Sequence, residues 1–211
     1  LVERAGERTR LTARGRELGE RLRDATARHF ASLRPIEEDE LTRLADLLER
    51  AFQAAAVATE PERREHTARA FRFRGRAAPS SPLAALDHAV FGLWMVRDDC
   101  HLAAWRAAGI DGPALDVLTR IWRGEARSVD ELAPKLTQQR AEDVAAAVER
   151  LRRDGRVAAG EPLTVSDEGR AFRERIEDET DRLFFAPWPE DVGEHGTWLE
   201  ERLREVNAGL V

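Results

Sequence analysis

Apolar residues recur at every third or fourth position along much of the chain, which is the spacing of one helix face. The clearest case is a predicted helix over residues 37–56, whose leucines and Phe52 share one face. Glycine and proline residues separate such stretches and end the predicted elements. The same spacing predicts further helices over residues 13–32, 82–108, 115–122, 140–154 and 166–185, and a last one through Leu199 and Val206.

One stretch in the second half of the chain has the element order of a winged helix-turn-helix. Ser128, with Glu131 three positions later, has the form of a capping box and opens a short helix. Residues 137–139 form a predicted turn, and a helix over 140–154 follows. The period then changes to that of strands, and residues 157–165 are predicted to form a β-hairpin. Two helices joined by a tight turn and followed by a hairpin are typical of this DNA-binding motif.

An internal repeat relates the two ends of the chain. Residues 15–26 align with residues 169–180 at a constant offset of 154, and six of the twelve positions are identical. A predicted hairpin precedes each copy, over residues 1–12 in the first and 157–165 in the second. The first copy therefore holds only the end of a unit. Its helix-turn-helix is expected upstream of Leu1, so the sequence is interpreted as N-terminally truncated.

The first hairpin and the helix after it carry the most specific motif. Leu1-Val2-Glu3-Arg4, a short basic turn and Leu11-Thr12-Ala13-Arg14-Gly15-Arg16 follow one another, and residues 157–170 are a weaker version. This motif resembles the wing and first dimerisation helix of the MarR family of bacterial transcriptional regulators. The resemblance implies a mainly α fold with small β-hairpin wings and flanking dimerisation helices. It also implies a homodimer or single-chain pseudodimer, with a recognition helix in the DNA major groove.

The resemblance divides the chain into three segments. Residues 1–56 correspond to the C-terminal part of a first MarR-like unit, a wing hairpin plus two helices. Residues 57–81 are an Arg-rich linker, and residues 82–211 are a complete second unit. In the linker, six arginines alternate with Phe71 and Phe73. We interpret this as an amphipathic stretch with both rings inward, although such interleaving also binds nucleic acid.

Two groups of residues are candidates for contact with double-stranded DNA, because guanidinium and amide groups at hairpin tips and helix N-termini bind phosphates and base edges. In the second unit, Glu142 and Asp143 follow immediately and would repel phosphate, so base reading there is the weaker of the two predictions. The candidates are Arg4, Arg8 and Arg10 of the first hairpin and Thr137, Gln138, Gln139 and Arg140 before the helix of the second unit.

The tryptophans bear on ligand binding. All five lie in the second unit, and so many indoles could line a pocket for a small aromatic effector. Trp94 and Trp122 are the candidate ligand-binding residues. Packing in the core is the alternative reading of the same residues.

An enzyme is not expected. The five histidines form no ligand pair of metal-site spacing, and neither a Gly-rich phosphate loop nor a nucleophile elbow is present. No cofactor and no metal are therefore predicted. The Glu/Arg pairs on the helices that follow Gly15 and Gly169 are interpreted as solvated helix faces.

Composition and charge narrow the class of protein further. The net charge is −6, which excludes a uniformly basic, histone-like binder but leaves room for local basic patches. Of the 34 basic residues only Lys135 is a lysine. No apolar run approaches the roughly 18 residues of a membrane span, so no membrane partner is expected. The single cysteine, Cys100, fits the reducing cytoplasm.

Together these features predict a cytoplasmic DNA-binding transcriptional regulator of the MarR type, acting as a dimer or pseudodimer and responsive to a ligand. The alternative is a winged-helix module for protein interaction or ligand sensing, with no DNA binding of its own.

Overall fold

The protein is mainly α-helical, with one small two-stranded antiparallel sheet. The computed structural model describes residues 1–6, 8–74 and 78–210, and it describes the backbone but not the side chains of Ala5 and Arg8. The strands are β1 (Val2–Ala5) and β2 (Arg8–Leu11). The helices are α1 (Ala13–Ser32), α2 (Glu38–Val57), α3 (Glu65–Arg74), α4 (Pro82–Ala107), α5 (Gly112–Trp122), α6 (Val129–Leu132), α7 (Ala141–Arg153), α8 (Asp167–Phe185), α9 (Glu190–Gly193) and α10 (Gly196–Gly209).

The chain forms two compact units. The first comprises residues 1–57, 67–95 and 187–211, and the second comprises residues 58–66 and 96–186. The three-segment division by sequence repeats stays a prediction.

The core of the first unit is built around α2. Its apolar stripe is buried as the periodicity predicts, and Phe52 is fully enclosed. Gly92 of α4 lies directly against Phe52, since a Cβ atom there would stand 2.6 Å from the ring. Ion pairs join α2 to the C-terminal helices of this unit, from Arg50 to Asp191 at 2.6 Å and from Arg202 to Glu40 at 3.3 Å.

The core of the second unit joins α5, α6, α7 and α8. Buried apolar residues from all four helices and from the segment after α7 form one continuous cluster. Trp105, at the end of α4, packs against its edge. The least exposed members larger than alanine are Val117, Leu118, Leu132, Val144, Val148, Leu151 and Ile176.

The observed helices agree closely with the periodicity, and two segments differ. Residues 157–165 form only a single antiparallel bridge, between Val157 and Val165, and not a hairpin with regular strands. The turn between them contains Pro162, which has no N–H to donate to a ladder.

The segment expected to be a linker contains helix α3. Residues 75–77 of that segment lie outside the described residues. Thr67 and Ala70 are the buried positions of α3, whereas Phe71 and Phe73 stay 44% and 53% exposed. The prediction that both rings point inward is therefore wrong, because the two phenylalanines lie off the stripe that packs. They still contact aromatic neighbours, Phe52 at 5.4 Å and Phe91 at 4.9 Å between ring centroids.

Within the described part of the chain, no helix carries an apolar stretch that would span a bilayer.

Candidate nucleic-acid interface

Helices α6 and α7 form the two arms of the helix-turn-helix. The Ser128 hydroxyl accepts a hydrogen bond from the Glu131 amide at 3.2 Å, and the Glu131 carboxylate accepts one from the Arg127 amide at 2.8 Å. This reciprocal cap fixes the start of α6. A 3-10 turn over Ala133–Lys135 continues it, and Leu136 is buried. The chain is thereby held by apolar contacts immediately before the segment that leads into α7.

That segment presents polar side chains at the N-terminus of α7. Thr137 and Gln138 are exposed, as a role in DNA contact requires. Gln139 is half-buried, and its Nε2 donates to the Pro113 carbonyl at 3.5 Å. An open cavity of about 450 Å³ lies beside these residues, lined also by Lys135 and Arg120.

Arg140 forms ion pairs with two carboxylates in the first turn of α7. Its Nε donates to Asp143 at 2.9 Å, and its Nη1 lies 2.6 Å from Glu142. The hydrogen bond from Arg140 holds the pKa of the Asp143 carboxyl below its ordinary value. The guanidinium remains 73% exposed, so water screens these pairs and they are weak. To bind a phosphate or a base, Arg140 must break its ion pairs with Glu142 and Asp143.

The first hairpin forms where the sequence predicts one, and its register places Arg4 opposite Thr9 and Arg10 opposite Glu3. Arg10 donates from Nε to Glu3 at 2.7 Å, while Arg4 is exposed with no ion pair among the described residues. The register alternates faces, so Arg4 and Arg10 lie on opposite sides of the hairpin. The side chain of Arg8 lies outside the described residues. Of the two hairpin arginines whose side chains are described, Arg4 is unpaired and Arg10 is paired with Glu3.

The turn that corresponds to a wing in the second unit is not basic. Arg152 of α7 donates to the Gly160 carbonyl at 2.6 Å and lies 3.3 Å from the Glu161 carboxylate. Glu161 is exposed at the tip. Leu163 donates its backbone N–H to the Arg127 carbonyl at 2.7 Å, which ties the turn to the start of the helix-turn-helix. This turn therefore follows α7 where a wing would, but its tip carries the carboxylate of Glu161 and not a basic side chain.

The two candidate ligand-binding tryptophans have different surroundings. Trp94 is 65% exposed on α4. Trp122 is half-buried at the end of α5 and lines an open cavity of about 430 Å³ with Arg127 and Arg170. The buried Nε1 of Trp122 has no hydrogen-bond partner among the described residues. Trp122 thus has the geometry of a ligand contact, and Trp94 has that of a surface residue.

Sequence reasoning missed a polar cluster on α8. Arg173 is only 6% exposed, so the interpretation of these Glu/Arg pairs as solvated is wrong at this position. Its Nε donates to the Thr119 hydroxyl at 3.1 Å, and its guanidinium pairs with Glu177. Arg97 donates to the same Glu177 at 2.9 Å. The i,i+4 spacing of Arg173 and Glu177 reveals their pairing but not their burial.

His101 extends this cluster. Its Nδ1 lies 3.1 Å from the Thr180 hydroxyl, which itself donates to the Ile176 carbonyl at 2.7 Å. The Thr180 hydroxyl already donates its proton to Ile176, so it acts as the acceptor in its contact with His101. In the neutral imidazole ring, Nδ1 is therefore the protonated nitrogen. Burial lowers the pKa of His101. The described residues contain no group of three His, Cys, Asp or Glu side chains placed to hold a metal ion.

Comparisons with known proteins give one assignment. Neither the curated proteins nor the solved structures include a significant match to the chain. Residues 2–211 do match a family described as a helix-turn-helix family, which spans both compact units. The match covers nearly every residue, and it agrees with the capped α6–turn–α7 geometry. The chain therefore belongs to the helix-turn-helix family.

Proposed function

We propose that the protein is a cytoplasmic transcriptional regulator of the MarR type that binds double-stranded DNA as a dimer or pseudodimer. Membership of the helix-turn-helix family points to a DNA-binding regulator and away from catalysis. The observation that carries the proposal is the exposed Thr137 and Gln138 at the N-terminus of α7, held there by the buried Leu132 and Leu136.

In this proposal the N-terminal end of α7 enters the major groove. Gln138 is the side chain best placed to read a base, because it is exposed and its amide offers both a donor and an acceptor. Arg4, Arg8 and Arg10 bind backbone phosphates through the first hairpin. Their contribution is electrostatic, so it weakens as the salt concentration rises, because the release of counterions from the DNA then becomes less favourable.

A fluorescence-anisotropy titration of labelled genomic DNA fragments across a salt series tests the proposal. We expect weak, salt-dependent binding by residues 1–211. Replacing Arg4 and Arg10 together by alanine reduces the slope of log K against log salt by about 2, since each phosphate contact adds about 0.9. Gln138→Ala weakens binding to the preferred fragment more than to random DNA.

Arg204→Ala is the matched control. Arg204 is a 75% exposed arginine on α10, paired with Glu200 and far along the chain from both candidate surfaces. Its loss leaves affinity and salt slope unchanged. Binding that ignores salt, or that responds equally to all three changes, contradicts the proposal.

Ligand response is proposed at the cavity that Trp122 lines. An aromatic carboxylate fits its chemistry, because indole offers a face and Arg127 and Arg170 offer positive charge. Benzoate is a suitable probe, with tryptophan fluorescence as the readout. Trp122→Phe abolishes the change that benzoate produces, whereas Trp198→Phe, on α10 beside Arg43, leaves it intact.

A second candidate function is a winged-helix module for ligand sensing or protein interaction that does not bind DNA. The observation in its favour is the acidic N-terminus of α7, where Glu142 and Asp143 occupy Arg140, together with Glu161 at the tip of the second turn. Benzoate binding in the absence of any salt-dependent DNA binding would select this function.

A further inference from the structure

Helix α3 carries exposed arginines and exposed phenylalanines side by side. Its buried stripe consists of Thr67 and Ala70. Successive residues of a helix are turned by about 100°, so Phe71 and Phe73 lie on either side of Arg72 on the outer surface of α3. A further arginine lies one turn before Phe73. We call Arg69, Phe71, Arg72 and Phe73 the α3 face.

The two arginines of the α3 face are available to a ligand. Arg69 and Arg72 are exposed, and neither forms an ion pair with a residue that the structure describes. Arg74 of the same helix instead pairs with Glu49 and lies over the ring of Phe52. The helix carries three arginines and one glutamate, whereas the chain as a whole has a net charge of −6. The α3 face is therefore complementary in charge to a negatively charged partner.

Other aromatic side chains hold the two rings of the α3 face in place. The ring centroid of Phe71 lies 5.4 Å from that of Phe52, and the centroid of Phe73 lies 4.9 Å from Phe91 and 6.4 Å from His88. Phe71 nevertheless stays 44% exposed and Phe73 53% exposed. A ring that is packed on one side and open on the other is ready to stack on a planar ligand, because little side-chain freedom remains to be lost.

Positive charge and open aromatic rings together select the class of ligand. A polyanion without rings would pair with the arginines but leave both phenylalanines in water. An apolar protein surface would cover the rings but remove the guanidinium groups from water without pairing them, which is costly. Single-stranded nucleic acid satisfies both kinds of group, because its phosphates bind arginine while its bases stack on aromatic rings.

We propose that the α3 face is a binding site for single-stranded DNA. Phosphates contact Arg69 and Arg72, and bases stack on Phe71 and Phe73. The choice of DNA over RNA rests on the proposed function, which brings this chain to DNA. The α3 face shares no residue with the surfaces proposed to contact duplex DNA, so each of the two proposals can fail without the other.

Anisotropy titration of a labelled oligothymidylate of about 15 nucleotides, a length within the range of known single-strand sites, tests the proposal. We expect salt-dependent binding by the 211-residue chain. Replacing Arg69 and Arg72 together by alanine lowers the slope of log K against log salt by about 1.4, since each single-strand phosphate contact adds about 0.7. Phe73→Leu keeps an apolar side chain but removes the ring, and it weakens oligothymidylate binding about fivefold or more.

Matched control variants lie elsewhere in the chain. Replacing Arg21 and Arg28 of α1 by alanine removes two exposed arginines, and Phe185→Leu removes a 51% exposed ring that packs on Phe184. Both leave oligothymidylate affinity and its salt slope unchanged. Gln138→Ala also leaves oligothymidylate affinity unchanged while it weakens binding to the preferred duplex, which separates a failure of this proposal from a failure of the proposed function.

Heparin is the control ligand, because it carries negative charge without bases. Phe73→Leu leaves heparin affinity unchanged if the ring acts by stacking, and an equal loss for heparin and oligothymidylate overturns the proposal. Absence of salt-dependent oligothymidylate binding also overturns it. Tighter binding of oligouridylate or of polyglutamate overturns it as well, since the α3 face would then serve RNA or an acidic protein.

Discussion

Gly169 packs against the carbonyl oxygen of Arg156 so closely that a Cβ atom at this position would collide with the backbone. Gly15 has the same relationship to the carbonyl oxygen of Leu1. In both copies the helix begins by packing against the residue just before the hairpin or turn that precedes the helix, Leu1 in the first and Arg156 in the second. The glycine is required by this contact, since no larger residue leaves the carbonyl in place.

Gly169→Ala is expected to destabilise the second unit by about 1–3 kcal/mol, the usual cost of forcing a methyl group into a packed site. Urea unfolding followed by circular dichroism measures it. Gly19→Ala is the control, because a Cβ there meets only Arg23, at 3.8 Å. Removing a helical glycine at such a site raises stability by about 0.5–1 kcal/mol. Equal effects at the two positions would contradict the packing argument.

Glu177→Gln is expected to cost about 1–3 kcal/mol at pH 7, because it leaves the buried Arg173 without its ion-pair partner. Partial burial opposes the charged form of Glu177, but hydrogen bonds from Arg173 and Arg97 outweigh it and lower its pKa. The contribution is therefore complete above the unfolded-state pKa, about 4.5, and is lost as pH falls through the lower folded value. The free energies of unfolding of the unmodified protein and of the Glu177→Gln variant should therefore converge as the pH falls. A difference that is constant from pH 7 to pH 3 would exclude this ion pair as its source.

The titration of His101 is expected to lower the stability of the protein at a higher pH than the titration of Glu177 does. Burial lowers its pKa, with Arg173 and Arg97 acting in the same direction and Glu177 and Asp98 against it. The unfolded chain thus binds the proton more readily, and stability falls as pH drops below about 6.5. His101→Gln should flatten the stability profile between pH 6.5 and pH 5. His29→Gln, on the exposed face of α1, is the control and should leave the profile unchanged.

Asp143→Asn is expected to raise DNA affinity, by roughly two- to fivefold, because it removes one carboxylate from the N-terminus of α7 and frees Arg140. Anisotropy titration at two salt concentrations measures the change. Glu200→Gln, on α10, removes the same charge away from the proposed interface and should have little effect. A decrease in affinity with Asp143→Asn would mean that the Arg140–Asp143 pair holds the binding conformation.

Cys100 should resist alkylation in the native protein. Burial, with Asp99 adding to it, raises the pKa of its thiol to about 11, so almost no thiolate is present at pH 8. Iodoacetamide is expected to modify it only after denaturant is added, as mass spectrometry would report. Rapid native labelling would require frequent opening of the middle of α4.

The sequence predicts the elements whose determinants are local. Ser128 and Ser166 cap their helices as their side chains suggest, and the α2 stripe is buried as its spacing requires. Arg173 could not be placed in this way. Its burial depends on Thr119, which is distant in the sequence and whose hydroxyl accepts the hydrogen bond of the guanidinium.

In the candidate site too, some features follow from the local sequence and others depend on side-chain contacts that the sequence does not reveal. Exposure of Thr137 and Gln138 follows from a turn placed between the buried Leu136 and the buried Val144. The capture of Arg140 by Asp143 depends on which rotamer the arginine adopts, and the sequence indicates only the nearby carboxylates. The second turn lacks regular strands although its residues favour them, because Pro162 and the contact from Arg152 to the Gly160 carbonyl hold it in another shape.

Lys135 ends the 3-10 turn between α6 and α7 and is the sole lysine of the sequence. Amine-selective reagents therefore have a single side chain to modify in this chain, at the edge of the cavity that Thr137 and Gln138 also line. A fluorophore or crosslinker attached there through an activated ester would report binding at the turn over residues 137–139 without any engineered residue. Apart from the α-amine of Leu1, this side chain is the one amine that the sequence offers to such reagents.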